Sequence, residues 1–466
     1  MKNNALAHEG PVSDDLNLPN VRTLRHVVVD GQHAYEAQST EPIGTACCLL
    51  FEAEKRPNGF KHWQYLDTTR DGQMAIIHFR KRRWKCASCG STVYERLAWA
   101  ASRHGMTERC AEWTFRQAIK RSFSQVADEL GVHPQTVAKV FTRKAIPEVR
   151  AMRLETPRVL GLDEKHLFQG MRAVLGNIEQ GTIFWMLKQR DRAHLEPFFK
   201  KMRDKDRVQV ICIDMYRPYR SILSEYFPHA TIVIDKFHIL RYATMAIDTA
   251  RAAIRKNGQP RNEKIRLTNQ RWTLLKRRHS WEPRDERRYA EIVAKYPELG
   301  VVFELKEAVH EIFDSHISRD EAMRQYLAWR QSIPHGYARY FRVFNRAMTN
   351  WGDLIFNYFD HRYTNAYVER LNGIIDDANR IGRGYRFATL FLKMMLAHGR
   401  QRPPRQKINR SRDLLDGVTY RFEGMEEALA EAFAPYLEPD AHLDDEISHG
   451  AVLSTFQAAL RDHSFP

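Results

Sequence analysis

The chain has 466 residues, and its 73 lysines and arginines exceed its 57 aspartates and glutamates, which gives a formal net charge of +16. Hydrophobic residues make up 43% of the chain, too many for a disordered protein, and 6 cysteines are too few for a disulfide scaffold. No apolar run is long enough to cross a bilayer, and the first residues lack a signal-peptide hydrophobic region. We therefore expect a cytoplasmic protein with no membrane partner, and the surplus of positive charge favours nucleic acid as a partner.

A cysteine motif follows a stretch of short predicted strands. Cys86 and Cys89 stand in a Cys-x-x-Cys-Gly knuckle, a spacing that lets two thiolates reach one zinc ion. A second such pair is missing upstream, where Cys47 and Cys48 are adjacent. Two interpretations stay open. Either zinc binds Cys47, Cys86 and Cys89, with His62 as a substitute ligand, or a zinc-ribbon-shaped hairpin is held by packing without a metal.

The next segment has the pattern of three helices. Thr107 can cap a first helix whose apolar residues recur every four positions. Gly131 permits a left-handed turn between two further helices, and Pro134 suits the first turn of the last one. This pattern predicts a helix-turn-helix, with an ordinary helical hairpin as the alternative. Four side chains of the last helix would face a DNA groove: Gln135, Thr136, Lys139 and Arg143.

From residue 157 onward, short buried strands dominate the pattern. Three antiparallel strands followed by strands that alternate with helices describe an RNase H-like core. Asp163 and Asp214 each follow an apolar run, so each lies where a central strand reaches the surface. Because neighbouring strands lie about 4.8 Å apart, both carboxylates can face the same pair of metal ions.

A helix after residue 364 supplies a third acid. Glu369 shares one helical face with Asn365 and Asn372, at spacings of four and three residues. Carboxylates gathered in this way repel one another, and hard divalent cations relieve the repulsion. We expect two Mg²⁺ ions, with Mn²⁺ as a substitute, in phosphodiester chemistry. A single acid in such a position is more often a cap or a solvated residue, so the prediction depends on the three acids together.

These segments resemble the DDE transposases of bacterial insertion sequences, most closely the family called ISL-three, over roughly residues 45–400. The segments that carry the resemblance are 161–164, 213–219, 235–238, 364–372 and 379–386. It implies that Asp163, Asp214 and Glu369 form the catalytic triad and bind the metal. The accessory residues that we expect around the triad are Asp235, His238, Asn365 and Asn372.

The resemblance also implies a function. It predicts a transposase that binds the terminal inverted repeats of its own element and target DNA, then cuts and joins strands, as a dimer or larger homo-oligomer in the bacterial nucleoid. The alternative is a DNA-binding regulator derived from a transposase that no longer cuts.

Asp214 and Glu369 lie 155 positions apart, too far for a simple connection, which predicts a helical insertion. Its basic first part includes predicted phosphate contacts at Arg271, Lys276 and Arg277, and Trp272 nearby is either a base-stacking residue or core.

The predicted fold class is α/β: an RNase H-like catalytic core with a large helical insertion, preceded by a zinc-ribbon-like module and a helix-turn-helix. In chain order, the predicted segments are a polar N-terminal segment (1–44), the zinc-ribbon-like module (45–100), the helix-turn-helix domain (105–150), the first part of the core (157–256), the helical insertion (257–360), the final core helices (361–400), and a linker with an acidic helical tail (401–466).

Overall fold

A computed structural model describes residues 16–41, 55–70, 73–101, 105–256 and 260–400. All of these belong to the first of two compact units, 1–402 and 403–466. Cys47 and the predicted linker and acidic tail lie outside the described residues. Within the described ranges, no helix combines the length and apolar character needed to cross a membrane.

A seven-stranded sheet occupies the N-terminal part. Its strands are β1 (Val21–Val29), β2 (Gln32–Ser39), β3 (Lys55–Arg70), β4 (Gln73–Cys86), β5 (Thr92–Tyr94), β6 (Ala100–Ala101) and β7 (Met106–Thr107). The long antiparallel β3–β4 pair is its centre, and β2 runs parallel to β4. The β1–β2 hairpin lies in a segment for which the sequence predicted no element. Asp30 and Gly31 join its strands, and both have the positive φ that a tight hairpin turn requires.

The Cys-x-x-Cys-Gly motif lies in the turn between β4 and β5. Cys86 ends β4, and the Gly90 amide donates to the Cys86 carbonyl at 3.0 Å, which closes a tight knuckle. His62 pairs with Arg80 in the β3–β4 register. Arg80 precedes Cys86 by six residues, so His62 and Cys86 are about 20 Å apart along the strand direction. His62 is thus too far away to be the substitute ligand. Zinc binding itself stays a prediction.

The three helices predicted after residue 107 are confirmed as α1 (Glu108–Lys120), α2 (Phe123–Leu130) and α3 (Pro134–Ala151). The Thr107 hydroxyl accepts from the Cys110 amide and caps α1. Ser122 and Gln125 form a reciprocal capping box at the start of α2. Gly131 ends α2 with a φ of 63°, the left-handed turn that sets the angle to α3.

A second sheet has five strands in the order β10-β9-β8-β11-β12. They are β8 (Val159–Leu167), β9 (Gly170–Asn177), β10 (Thr182–Leu187), β11 (Val210–Ile213) and β12 (Thr231–Ile234), with α4 (Arg192–Lys201) and α5 (Arg217–Tyr226) in the connections. The first three strands form the antiparallel meander expected from the sequence, and β11 and β12 run parallel to β8.

Helices make up the rest of the described chain. In order they are α6 (Lys236–Lys256), α7 (Arg261–Asn269), α8 (Arg271–Leu275), α9 (Pro283–Lys295), α10 (Pro297–Asp314), α11 (Arg319–Ser332), α12 (Arg342–His361), α13 (Ala366–Gly382) and α14 (Phe387–His398). Trp329 and Trp351 are buried in this helical region, and Trp281 stacks on Phe303. Trp272 differs, because 67% of its surface is exposed.

Candidate active site

Three acids occupy the same position on three adjacent parallel strands. Leu162 of β8 pairs with Ile213 of β11, and Ile213 pairs with Ile234 of β12. The residue after each of these three is an aspartate, so the chain places Asp163 of β8 in a row with Asp214 and Asp235, which directly follow β11 and β12. Parallel neighbours lie about 4.8 Å apart, so the Asp163 and Asp214 carboxyl groups are close enough to repel each other when both are ionised.

Helix α13 crosses the sheet at two glycines and brings the fourth acid to this row. A Cβ atom on Gly161 would lie 2.5 Å from Val368 Cγ2, and one on Gly176 would lie 3.0 Å from the same atom. The absence of both side chains lets α13 approach the strands closely, one residue before Glu369. Asn365 Nδ2 donates to the Leu162 carbonyl at 3.3 Å and fixes the start of the helix.

His238 lies in the first turn of α6, among the acids. Its Nε2 is 3.1 Å from Asp214 Oδ2, while its Nδ1 is 3.8 Å from Asp235 Oδ2 and 3.9 Å from Glu369 Oε1. The carboxylate of Asp235, followed by that of Asp214, raises the pKa of His238. The structure therefore gathers the predicted triad and the predicted accessory residues at one edge of the sheet, with His238 between the acids.

Burial and mutual repulsion act together on the carboxyl groups. Burial, reinforced by Asp163, raises the pKa of Asp214 to about 7. Burial is also the main reason that the pKa values of Asp163 and Glu369 are raised. Ionising these groups close to one another costs free energy, and a bound divalent cation removes this cost.

The atoms at this edge fit a hard divalent cation. Asp214 Oδ1, Asp235 Oδ2 and Asn372 Oδ1 are buried without a hydrogen-bond partner, so these oxygen atoms are available as ligands. Asn372 Nδ2 donates to Asp163 Oδ2 at 2.7 Å and holds that carboxylate in place. Among the residues described, one group of histidine and acidic side chains has ligand atoms within 4.8 Å of one another: Asp214, Asp235 and His238.

The raised pKa of Asp214 predicts a pH-dependent stability. Between about pH 4 and pH 7 the folded state keeps a proton on Asp214 that the unfolded state has lost, so the stability contribution of this group falls as pH rises. Without metal, Asp214→Asn should be more stable than the unaltered protein by about 1–3 kcal/mol at pH 8 and nearly equal to it at pH 4. Urea unfolding in a chelating buffer at the two pH values measures this. An equal difference at both would contradict the assignment.

The helix-turn-helix presents the four predicted DNA contacts on the outer side of α3. Gln135, Lys139 and Arg143 are exposed and, at spacings of four residues, form one stripe along the helix. Thr136 is half-buried beside them. Their arrangement is the one that a recognition helix needs, and contact with DNA stays a prediction.

The three predicted phosphate contacts of the insertion already have partners within the protein. The pairs are Arg271 with Asp248, Lys276 with Asp285, and Arg277 with Asp314. These ion pairs join α8 and the two residues after it to α6, α9 and α10, so the charges hold the helices together. Contact of these residues with DNA stays a prediction that would require them to exchange partners.

Two features near the triad were not predicted from the sequence. Glu164, next to Asp163, forms an ion pair with Arg190, whose guanidinium lies 4.4 Å from the centre of the Tyr216 ring. Lys165 pairs with Asp376 and so links β8 to α13. Each pair joins segments far apart in the chain. The only sign of these pairs in the sequence is that an acidic and a basic residue, Glu164 and Lys165, directly follow Asp163.

A row of acids on a mixed sheet, a helix that adds another, and a helix-turn-helix in the same chain are the arrangement expected of a DDE transposase. Residues 160–395 match a family described as Transposase, and residues 95–143 match the helix-turn-helix domain of transposase family ISL3. The chain belongs to the ISL3 family of DDE transposases, which confirms the resemblance seen in the sequence.

Curated relatives agree with this assignment. The chain is 26% identical over 345 residues to the transposase for insertion sequence element IS1001 of Bordetella parapertussis, an alignment that covers 69% of this chain and 81% of the relative. It is 24% identical over 362 residues to the transposase for insertion sequence element IS1557 of Mycobacterium tuberculosis, in two strains, covering 71% of this chain and 80% of the relative.

Proposed function

We propose that this transposase binds the terminal inverted repeats of its insertion sequence and catalyses metal-dependent strand cleavage and strand transfer, with Asp163, Asp214 and Glu369 as the catalytic triad. The observation that carries the proposal is the convergence of these acids from β8, the end of β11 and α13 on one edge of the sheet. The strand order, with an antiparallel meander followed by parallel strands, supports an RNase H-like core.

The cofactor in this proposal is Mg²⁺, with Mn²⁺ as a substitute, because the candidate ligands are carboxylate and amide oxygens. Asp163 and Asp214 would hold the metal pair and Glu369 would complete one ion. When bound, two such ions activate a water or a 3′-hydroxyl and stabilise the leaving oxygen. The protein itself orients the ligands: Asn372 fixes the Asp163 carboxylate, and His238 lies 3.1 Å from that of Asp214.

Recognition of the DNA ends would combine α3 with the β3–β4 pair. This ribbon is basic and carries exposed Phe60 and Trp63, with Lys61 and Lys81 each 5.2 Å from the Trp63 ring. Cations beside an exposed aromatic ring suit contact with phosphates and sugars. Zinc at Cys86 and Cys89 would stiffen the end of the ribbon. Because two ends must be processed together, the active form would be a dimer or larger assembly on DNA.

The experiment that tests this function is a cleavage assay on linear DNA that carries the ends of the element. With Mg²⁺ or Mn²⁺ we expect nicking at the end of the repeat that frees a 3′-hydroxyl, followed by joining to a target plasmid. A chelator should stop both reactions. Specific binding of the ends with no cleavage in either metal would instead identify a regulator derived from an inactive transposase.

A further inference from the structure

A groove of about 720 Å³ separates the helix-turn-helix from the catalytic half of the chain. One wall consists of α2 and the first turn of α3, including Gln135. The other wall is 380–385, the end of α13 and the residues after it. Together with Arg386, which follows the wall and precedes α14, this segment is here called the α13–α14 loop. The groove therefore adjoins the outer face of α3 but belongs partly to the helix that carries Glu369.

The α13–α14 loop carries positive charge, with Arg380 and Arg383 in the wall of the groove and Arg386 next to it in the chain. Arg383 and Arg386 are exposed, and within the ranges that the structure describes neither forms an ion pair. Arg380 pairs with Asp377 at 2.6 Å, but both side chains are largely exposed, so the pair is weak. Among the described residues that line the groove, Asp128 is the one acid. The loop thus offers guanidinium groups whose charge is not used inside the protein.

Packing makes the loop and the helix-turn-helix one surface. The Tyr385 ring folds back over Gly382, where a Cβ atom would collide with it, and packs on Phe123 of α2 at 5.0 Å between ring centres. Lys393 of α14 is buried below these rings and donates to the Arg121 carbonyl at 2.9 Å. Since aromatic packing and a buried hydrogen bond hold the two walls, the arginines keep a fixed position relative to α3.

We propose that the α13–α14 loop is a DNA-backbone contact, in which Arg383 and Arg386 bind phosphates of the same duplex whose bases α3 reads. The proposal rests on the proposed function in taking α3 as the recognition helix. A duplex is the occupant that fits, because guanidinium groups match phosphate geometry and the groove continues the exposed stripe of α3. Glu369 and the end of α13 are 13 residues apart, about 20 Å. Binding of the end would therefore also fix the helix that carries the third acid.

The test is a binding titration of the double variant Arg383→Ala, Arg386→Ala over a range of salt concentrations. The probes are a duplex from the element's end and a scrambled duplex of equal length. We expect affinity to fall about tenfold on both, and the slope of log K against log salt to decrease by about 1–2, since each phosphate contact contributes about 0.9. The variant Arg383→Lys, Arg386→Lys should keep most of the slope.

The matched control is Arg342→Ala, Arg346→Ala, which removes the same charge from two exposed positions of α12. We expect wild-type binding from it. An equal loss in this control, an unchanged slope in the loop variant, or a loss confined to the end duplex would each overturn the backbone contact. Failure of the unaltered protein to prefer the end duplex would count against the proposed function instead. Even in that case, weaker binding of both duplexes by Arg383→Ala, Arg386→Ala would support the contact of the loop with the DNA backbone.

Discussion

Asp214→Asn is expected to abolish strand cleavage while DNA binding stays within about twofold of the unaltered protein. The substitution keeps the shape of the side chain but removes the charge at the centre of the row of acids. Bound metal ions stabilise the charge of the transition state by several kcal/mol, and each 1.36 kcal/mol of activation free energy is a factor of ten in rate. The loss should therefore be about 10³-fold or more. Because Asp214 lies at the end of β11 and the predicted DNA contacts lie on α3, binding of the ends should not depend on it.

Asp320→Asn is the matched control for charge, since Asp320 is an exposed residue in the first turn of α11. It should cleave and bind normally. Both reactions are measured on the same end-labelled duplex, with cleavage at saturating protein. Normal cleavage by Asp214→Asn would show that this acid does not belong to the catalytic triad, whereas joint loss of binding and cleavage would indicate a folding defect rather than a catalytic one.

Gly161→Ala is expected to cost about 1–3 kcal/mol of stability and to reduce cleavage sharply, although the residue carries no functional group. The new methyl group would meet Val368 Cγ2 at 2.5 Å and Asn365 Oδ1 at 2.8 Å. To relieve these contacts, α13 must move away from the sheet. Glu369, the next residue after Val368, would then move away from Asp163 and Asp214. Thermal unfolding and the cleavage assay measure the two effects.

Two further variants separate this effect from a general response to glycine replacement. Gly373→Ala places the same methyl group on α13 where nothing lies within 4 Å, so stability should be unchanged or slightly higher. Adding Val368→Ala to Gly161→Ala should restore part of the cleavage, because it removes the closest contact. If Gly161→Ala cleaves as well as Gly373→Ala, close packing at Gly161 does not position Glu369.

Much of this site could be predicted because its signals are local. Asp214 follows the apolar strand β11, and Glu369 shares a helical face with two amides, so position along each element indicated where these side chains would point. Asp163 follows an apolar run as predicted, but it does not lie at a strand end, because β8 continues to Leu167 through its pairing with β9. Asp235 follows its strand as Asp214 does and proved to lie in the same row. The helix-turn-helix could be predicted equally well, since its helix caps and its left-handed glycine depend on residues that are close in the sequence.

The features that could not be predicted from the sequence depend on which distant segments of the chain come into contact in the fold. The basic residues of the insertion looked available for DNA, but their carboxylate partners lie on other helices, as Arg277 and Asp314 show. The approach of α13 at Gly161 depends on a contact across some 200 positions. The β1–β2 hairpin is a different case. Asp30 and Gly31 are a local turn signal, but it was missed because the surrounding segment is polar.

Mn²⁺ soaked into crystals of the protein above pH 7 tests most directly whether Asp163, Asp214 and Glu369 hold divalent metal together. Anomalous scattering locates the ion without reference to activity. We predict a peak about 2.1 Å from carboxylate oxygens of both Asp163 and Asp214, with Glu369 directed toward the same site. An ion bound by Asp235 and His238 instead, with Asp163 unliganded and Glu369 turned away, would show that the three acids are not the metal-binding triad.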